Sequence, residues 1–322
     1  PKIIFDGYED DEDVPSKNIP KFAKAPSEIT NLKKLRNYVV VDTETTGLNR
    51  KTDEMVEIAI LTIENAKLSE EYSTLICPKV PISAAASAVN GITDADLANA
   101  PTLDDVLPEI TSRLSGKTII GHNVTFDLAF IARAFAGPDA PDYLYYIDTL
   151  TLSKNCVQAE SHKLQNLAAQ LNLDPGQAHR ALADARTTLQ LYQYCVKKMD
   201  ADAAEARQRK KEEHERRVVE FAWSPLNDKN FVFTGDLSIY RDEQERYVNR
   251  VGANRKTGVS GRTNYIVIGD YSDYKEHHSV PYELYKANQR IEKGQNIIKL
   301  SEAEFFDLIE STEKLKPTEN KQ

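Results

Sequence analysis

The sequence has little cysteine, one tryptophan, no long apolar run and a shortage of positive charge. Three cysteines, Cys77, Cys156 and Cys195, are odd in number and lie in apolar or helical stretches. They argue against a disulfide framework and fit a reducing cytosol. No apolar stretch approaches the ~18 residues needed to span a bilayer, which argues against a membrane helix. The chain opens at Pro1 on polar, acidic residues, unlike a secretory signal peptide, with the initiator Met removed or the chain trimmed. Lys and Arg number 41 against 50 Asp and Glu, a formal net charge of −9. Nucleic-acid proteins are more often basic, so composition runs against that class. Much of the deficit is local, however: Asp6, Glu9, Asp10, Asp11, Glu12 and Asp13 crowd the leading segment.

What is present is enough for about two domains, since 322 residues divide at ~100–200 residues each. Residues 1–36 mix acids, Pro and Lys without regular apolar positions and read as a disordered tail. Tyr38–Val41, Met55–Ile60 and Glu71–Ile76 read as three strands of an antiparallel meander. Thr102 and Asp105 open a helix with Val106, Leu107, Ile110 and Leu114 on one face. Thr118–Ile120 and Tyr145–Ile147 are further strands, and helices are expected after the first of them, around Leu164–Leu171, and from Ala181 onward. The pattern predicts a layered α/β domain over residues 37–198. Residues 199–229 are charge-dense and read as a solvated helical linker, broken by Pro225. A second α/β unit spans residues 230–312, followed by a polar tail over 313–322.

Two groups of residues carry chemistry. In the first, Asp42 and Glu44 close the first strand. Residues two apart on a strand share a face, so two carboxylates stand where apolar residues are expected. Unpaired buried carboxylates are costly, and a divalent cation between them is the cheapest explanation. Asp127 lies one turn inside a helix, and Asp184 heads the stripe Thr188, Leu191, Cys195 that should pack on the sheet. His179 stands five positions before Asp184, a spacing that does not share a helical face, so a loop before the helix suits it. A histidine beside a metal pair suits a general base. Each piece alone has a plain structural reading as a turn, a cap or a loop; the order and spacing of the set point to a site.

Asp42-Thr-Glu44-Thr-Thr-Gly, Gly-His-Asn-Val-Thr-Phe-Asp127 and His179-Arg-Ala-Leu-Ala-Asp184 resemble the three motifs of the DEDDh 3′→5′ exonucleases, the group of the bacterial proofreading epsilon subunit. Val89-Asn90-Gly91-Ile92-Thr93 with Ala100-Pro101 matches the same subfamily. The resemblance implies a ribonuclease-H-like fold, a mixed five-stranded sheet with helices on both faces. It implies two Mg²⁺ or Mn²⁺ ions on Asp42, Glu44, Asp127 and Asp184, with His179 as the base, releasing nucleoside 5′-monophosphates from a 3′ end. By the same carry-over, Thr45 and Thr46 meet the terminal 3′-hydroxyl through their backbone, Leu48 wedges against the last base, and Asn123 and Phe126 line the strand path. Plain core packing stands as the other reading of Leu48 and Phe126.

The second group is Phe231-Val-Phe-Thr234-Gly235-Asp-Leu, Arg241-Asp-Glu, Val259-Ser-Gly-Arg-Thr-Asn-Tyr-Ile-Val-Ile-Gly269 and Lys286-Ala287. These resemble a BRCT domain of the NAD-dependent DNA ligase and clamp-loader type, a small α/β fold on a parallel sheet. Gly252-Ala253 stands where Gly-Gly is common, and Phe305-Phe306 where many carry Trp. The resemblance implies a phosphate pocket on Thr234, Gly235, Arg241 and Lys286; a simple turn and surface charges are the other reading. Together the two likenesses imply a cytoplasmic enzyme, nucleoid-associated if bacterial, acting on single-stranded or frayed DNA 3′ ends in proofreading or repair. The expected partners are a 5′-phosphate end or a protein at the BRCT module, and a DNA polymerase, with no membrane. A phosphoprotein-binding scaffold and an exonuclease acting on RNA are the alternatives.

Overall fold

The computed structural model describes residues 19–25, 32, 34–135, 142–272 and 280–317. The chain divides between Ala203 and Ala204 into two compact units.

In the first unit, β2 (Tyr38–Thr45), β3 (Met55–Glu64) and β4 (Lys67–Leu75) form the expected antiparallel meander. Asn65 and Ala66, with φ of 51° and 65°, make the tight turn between β3 and β4. β5 (Ile119–Gly121) and β6 (Tyr143–Asp148) extend the sheet in parallel on the other side of β2. The sheet is mixed, but it has six strands and not five, because β1 (Lys21–Lys24) pairs in parallel with β6. That strand falls in the segment read as tail; four residues with two lysines give no periodic signal, and only the open edge of β6 selects them. The rest of that acidic segment lies largely outside the described residues.

Apolar clusters cover both faces. One holds Val40, Leu61, Ile120, Leu167, Ala185 and Tyr192; the other holds Val39, Val41, Ile60, Ile110, Leu128 and Ile131. The helices are α1 (Ala84–Asn90), α2 (Asp94–Leu97), α3 (Leu103–Leu114), α4 (Thr125–Ala134), α5 (Thr149–Cys156), α6 (Leu164–Leu171) and α7 (Ala181–Glu220). α3 starts on the capping box of Thr102 and Asp105, with both reciprocal bonds formed. α1 and α2 are too short for apolar periodicity to reveal them, and α5, Thr-Leu-Thr-Leu-Ser-Lys-Asn-Cys, has only Leu150, Leu152 and Cys156 to mark a face. α7 is one continuous helix of 40 residues, and it ends before Pro225 is reached.

The second unit holds a four-stranded, all-parallel sheet in the order β10-β9-β7-β8, from β7 (Asn230–Thr234), β8 (Asn254–Lys256), β9 (Tyr265–Ile268) and β10 (Ile298–Ser301). Helices α8 (Arg241–Arg250), α9 (Tyr282–Glu292) and α10 (Glu302–Glu313) complete it. β8 is three polar residues and carries no strand signal. The main core gathers Phe231, Val248, Val267, Phe305 and Ile309. Phe305 is fully buried and meets Phe231, Phe233, Tyr247 and Phe306 at centroid distances of 5.9, 5.2, 6.2 and 5.6 Å. Among the described residues no helix is long and apolar enough to cross a membrane.

Phe305→Ala should remove the centre of that ring cluster and cost about 3–5 kcal/mol. The single tryptophan, Trp223, packs against this core and reports the event. Its fluorescence should show a lower urea midpoint in the variant; an unchanged midpoint would refute the packing account.

Candidate active site

The strand alternation of β2 sorts its residues between faces. Tyr38 and Val40 point into the cluster under α7, and Asp42 and Glu44 follow on the same side. Asp184, in the first turn of α7, meets them there. Carboxylate oxygens of Asp42, Glu44 and Asp184 all lie within 4.8 Å of one another. Asp127 arrives from α4, on the opposite face. Its Oδ1 accepts from the Thr43 backbone N–H at 3.0 Å and from the Thr43 hydroxyl at 2.7 Å. It is therefore tied to the residue between Asp42 and Glu44, outside the tight group of three.

Burial raises all four acids, and repulsion from neighbouring carboxylates adds to it. Asp42 is pushed well above the usual carboxylate range by burial, then by the charges of Asp127, Asp184, Glu44 and Glu57. Burial pushes Glu44 up to about 8, opposed by a hydrogen bond from Asn90. Asp127 and Asp184 are raised by burial too, opposed respectively by the bonds from Thr43 and from Gln165. An all-oxygen, uncompensated acidic set of this kind fits a hard divalent cation.

His179 lies on the loop before α7, with exposed side chain and a left-handed backbone, φ 59°. Its N–H donates to Asp184 Oδ2 at 3.2 Å, while Gln165 Nε2 donates to Oδ1 at 2.7 Å. The next residue, Arg180, and the backbone of Ala181 bind the buried carboxylate of Glu57. Glu57, Gln165 and Asn90 escape the sequence reading. A lone charge within the apolar run Met55-Val-Glu57-Ile-Ala-Ile is the available sign for Glu57; Asn90 falls in the matching Val89–Thr93 segment, which assigns it no role, and Gln165 carries no sign by residue type.

The proposed substrate contacts are unequal. Leu48 is 85% exposed and so takes no part in the core. Phe126 is half-buried against Phe130, with the Arg50 guanidinium 5.7 Å above its ring. Asn123 is exposed at φ 60°, its N–H held by Asp148 at 2.9 Å. Thr45 and Thr46 are buried. Both backbone groups of Thr46 are already engaged: its N–H donates to Glu54 O at 2.9 Å, and its carbonyl accepts from Ser83 N at 3.0 Å. His122 bridges Thr149 and the His162 carbonyl at 3.0 and 2.9 Å, a structural position.

In the second unit, Thr234 ends β7 and Gly235 turns with φ 77°. A β-carbon there would stand 2.9 Å from the Asp270 carbonyl, so the turn requires glycine. Arg241 opens α8 and is exposed. Its charge, after burial, helps hold the neighbouring Arg255 below its ordinary range. Lys286 Nζ turns to Glu283 at 3.2 Å and lies 4.9 Å over the Tyr282 ring.

The family described as Exonuclease matches residues 39–192. The chain is 38% identical over 163 residues to DNA polymerase III PolC-type of Thermotoga petrophila, a match covering 50% of this chain and 12% of that protein. It is 34% identical over 157 residues to the 3′-5′ exonuclease DinG of Bacillus subtilis, covering 48% of this chain and 17% of that protein. It is 31% identical over 159 residues to DNA polymerase III subunit epsilon of Treponema pallidum, covering 48% of this chain and 74% of the relative. The PolC-type relatives are thus matched over about an eighth of their length.

The raised acids fix a sign for pH. A carboxyl raised in the folded state favours folding at low pH and loses that contribution as pH rises through its folded value. For Glu44 the window runs from the ordinary 4.5 to about 8. Metal-free protein should therefore lose melting temperature across this window. Saturating Mg²⁺ should raise it more at pH 8 than at pH 5, and Asp42→Asn should flatten the dependence. A Mg²⁺ effect equal at both pH values would contradict the electrostatic account.

Proposed function

This chain belongs to the exonuclease family that includes the epsilon subunit of Treponema pallidum, and on that premise we propose that it hydrolyses DNA from the 3′ end, releasing nucleoside 5′-monophosphates. The observation that carries the reading is the convergence of Asp42, Glu44 and Asp184 within 4.8 Å, with Asp127 tied to the same strand and His179 tied to Asp184. A scaffold has no use for acids held against their own repulsion. The 3′→5′ direction follows the name of the DinG relative.

Asp42, Glu44, Asp127 and Asp184 would hold two Mg²⁺ or Mn²⁺ ions, which supply Lewis-acid charge to the scissile phosphate and make water acidic enough to attack at neutral pH. His179 takes the proton of the attacking water on its imidazole and, as the imidazolium, counters charge that grows on the phosphate. Leu48, exposed on the loop that follows β2, presses on the terminal base, and Phe126 with Asn123 lines the path of the strand. The engaged backbone of Thr46 leaves Thr45 and the loop beyond it to meet the terminal 3′-hydroxyl.

The second unit acts as a BRCT module that docks the enzyme to a 5′-phosphate end or to a protein in repair or proofreading. The parallel four-stranded sheet and the obligatory Gly235 turn support that reading. Lys286 is shared with Glu283, which shifts the weight of the expected pocket to Arg241.

On 5′-labelled single-stranded DNA with Mg²⁺, the protein should give a ladder that shortens from the 3′ end and vanishes with chelator or with Asp42→Ala. His179→Ala should lower kcat by about 10²–10⁴. Wild-type protein that cleaves neither DNA nor RNA, with Mn²⁺ also tried, would sink the enzyme reading in favour of the scaffold. Faster cleavage of RNA would change the substrate alone.

A further inference from the structure

Beside the acid cluster stands a buried carboxylate that the proposed chemistry leaves unused. Glu57 is 3% exposed, set in the apolar strand β3 directly opposite Glu44 in the ladder. Its oxygens are not part of the group that converges within 4.8 Å. They are spent on one short segment. Arg180 Nε donates to Oε2 at 3.1 Å, an Arg180 terminal nitrogen donates to Oε1 at 2.8 Å, and the Ala181 backbone N–H donates to Oε2 at 3.1 Å. The contact is therefore two-pronged on a guanidinium and also satisfies one of the open N–H groups at the start of α7.

The segment so held is the one that presents His179. This residue carries φ 59°, a conformation that a β-carbon disfavours and that persists only where the surroundings over-determine it. The restraints come from two directions. Glu57 grips Arg180 and Ala181 from the sheet, and Asp184 Oδ2 accepts the His179 N–H at 3.2 Å from the helix. Both restraints act on backbone N–H groups and the Arg180 guanidinium, and neither is a hydrogen bond to the imidazole. The planar fork of arginine matches a carboxylate at two points, whereas a lysine would offer a point charge and no orientation.

We infer that Glu57 and Arg180 are positioning residues for His179: their ion pair locks the turn that aims the imidazole at the acid cluster. The inference rests on the exonuclease reading above. It separates two acids that face each other across one ladder, Glu44 as a metal ligand and Glu57 as the anchor of the base.

The test uses the full-length protein. Arg180→Lys keeps the charge and loses the fork. Glu57→Gln keeps an acceptor for Ala181 and loses the charge; it serves if the first variant fails to fold. Each is measured alone and in a His179→Ala background, with Mg²⁺ titrated. Alone, each should lower kcat by about ten- to hundredfold, the scale of a misplaced catalytic group. In Arg180→Lys, which keeps both charges, KM and the Mg²⁺ half-saturation should stay within about twofold; in either variant any further loss once His179 is gone should stay within about twofold too. In metal-free protein, hydrogen exchange at the His179 and Ala181 amides should quicken at least about tenfold, with the amides of β2 unchanged. Equal losses in both backgrounds, or a Mg²⁺ half-saturation that climbs with the loss in Arg180→Lys, would place the pair behind the metal ligands and overturn the inference. Unchanged exchange at His179 would overturn it too. A wild type without nuclease activity would overturn both this inference and the proposed function, whereas an active wild type with equal losses overturns the inference alone.

Discussion

Mutual repulsion among carboxylates is the constraint around which the first unit is arranged. Asp42 and Glu44 leave the same face of β2, α7 brings Asp184 to them, and α4 brings Asp127 from behind. Nothing in such a set is self-supporting without a cation. What holds it is the apolar sheet beneath, fully buried at Val39, Val40, Val41, Ile58 and Ile60, together with neutral donors aimed at the acids. Asn90, Gln165 and Thr43 each lower an acid that burial has raised. The fold thus stores an unfavourable arrangement whose relief comes from cation binding.

The long elements were readable in the sequence because their periodicity is strong. The meander of β2, β3 and β4, the capped start of α3 and the span of α6 all fall close to where spacing predicts them. Short elements were not. β1 and β8 are made by a neighbour's open edge, and α1, α2 and α5 by local caps at Ser83, Thr93 and Asp148. The site divides in the same way. The charged residues of the motifs could be picked out because a carboxylate on an apolar stripe is out of place. The groups that orient them, Gln165 and Asn90, are ordinary by type and gain their meaning from distance alone. Glu57 sits between these cases, since its charge broke the apolar run of β3 but its partner lies 123 residues away.

The second unit shows a similar split between frame and ligand chemistry. Its aromatic core around Phe305 and its central strands follow from apolar runs. The cations do not: Lys286 is turned to Glu283, while Arg255, on a strand too short to announce itself, stands beside Arg241. Charges on a small domain find their partners only after folding, and a motif names candidates without ranking them.

β2 has a further consequence. Its even residues supply acids to one face, and its odd residue Thr43 fastens Asp127 on the other. Insertion or deletion of a single residue in this strand would exchange the two faces, sending the acids to the side of α4 and the threonine into the acid cluster. Length in β2 is therefore as tightly constrained as identity.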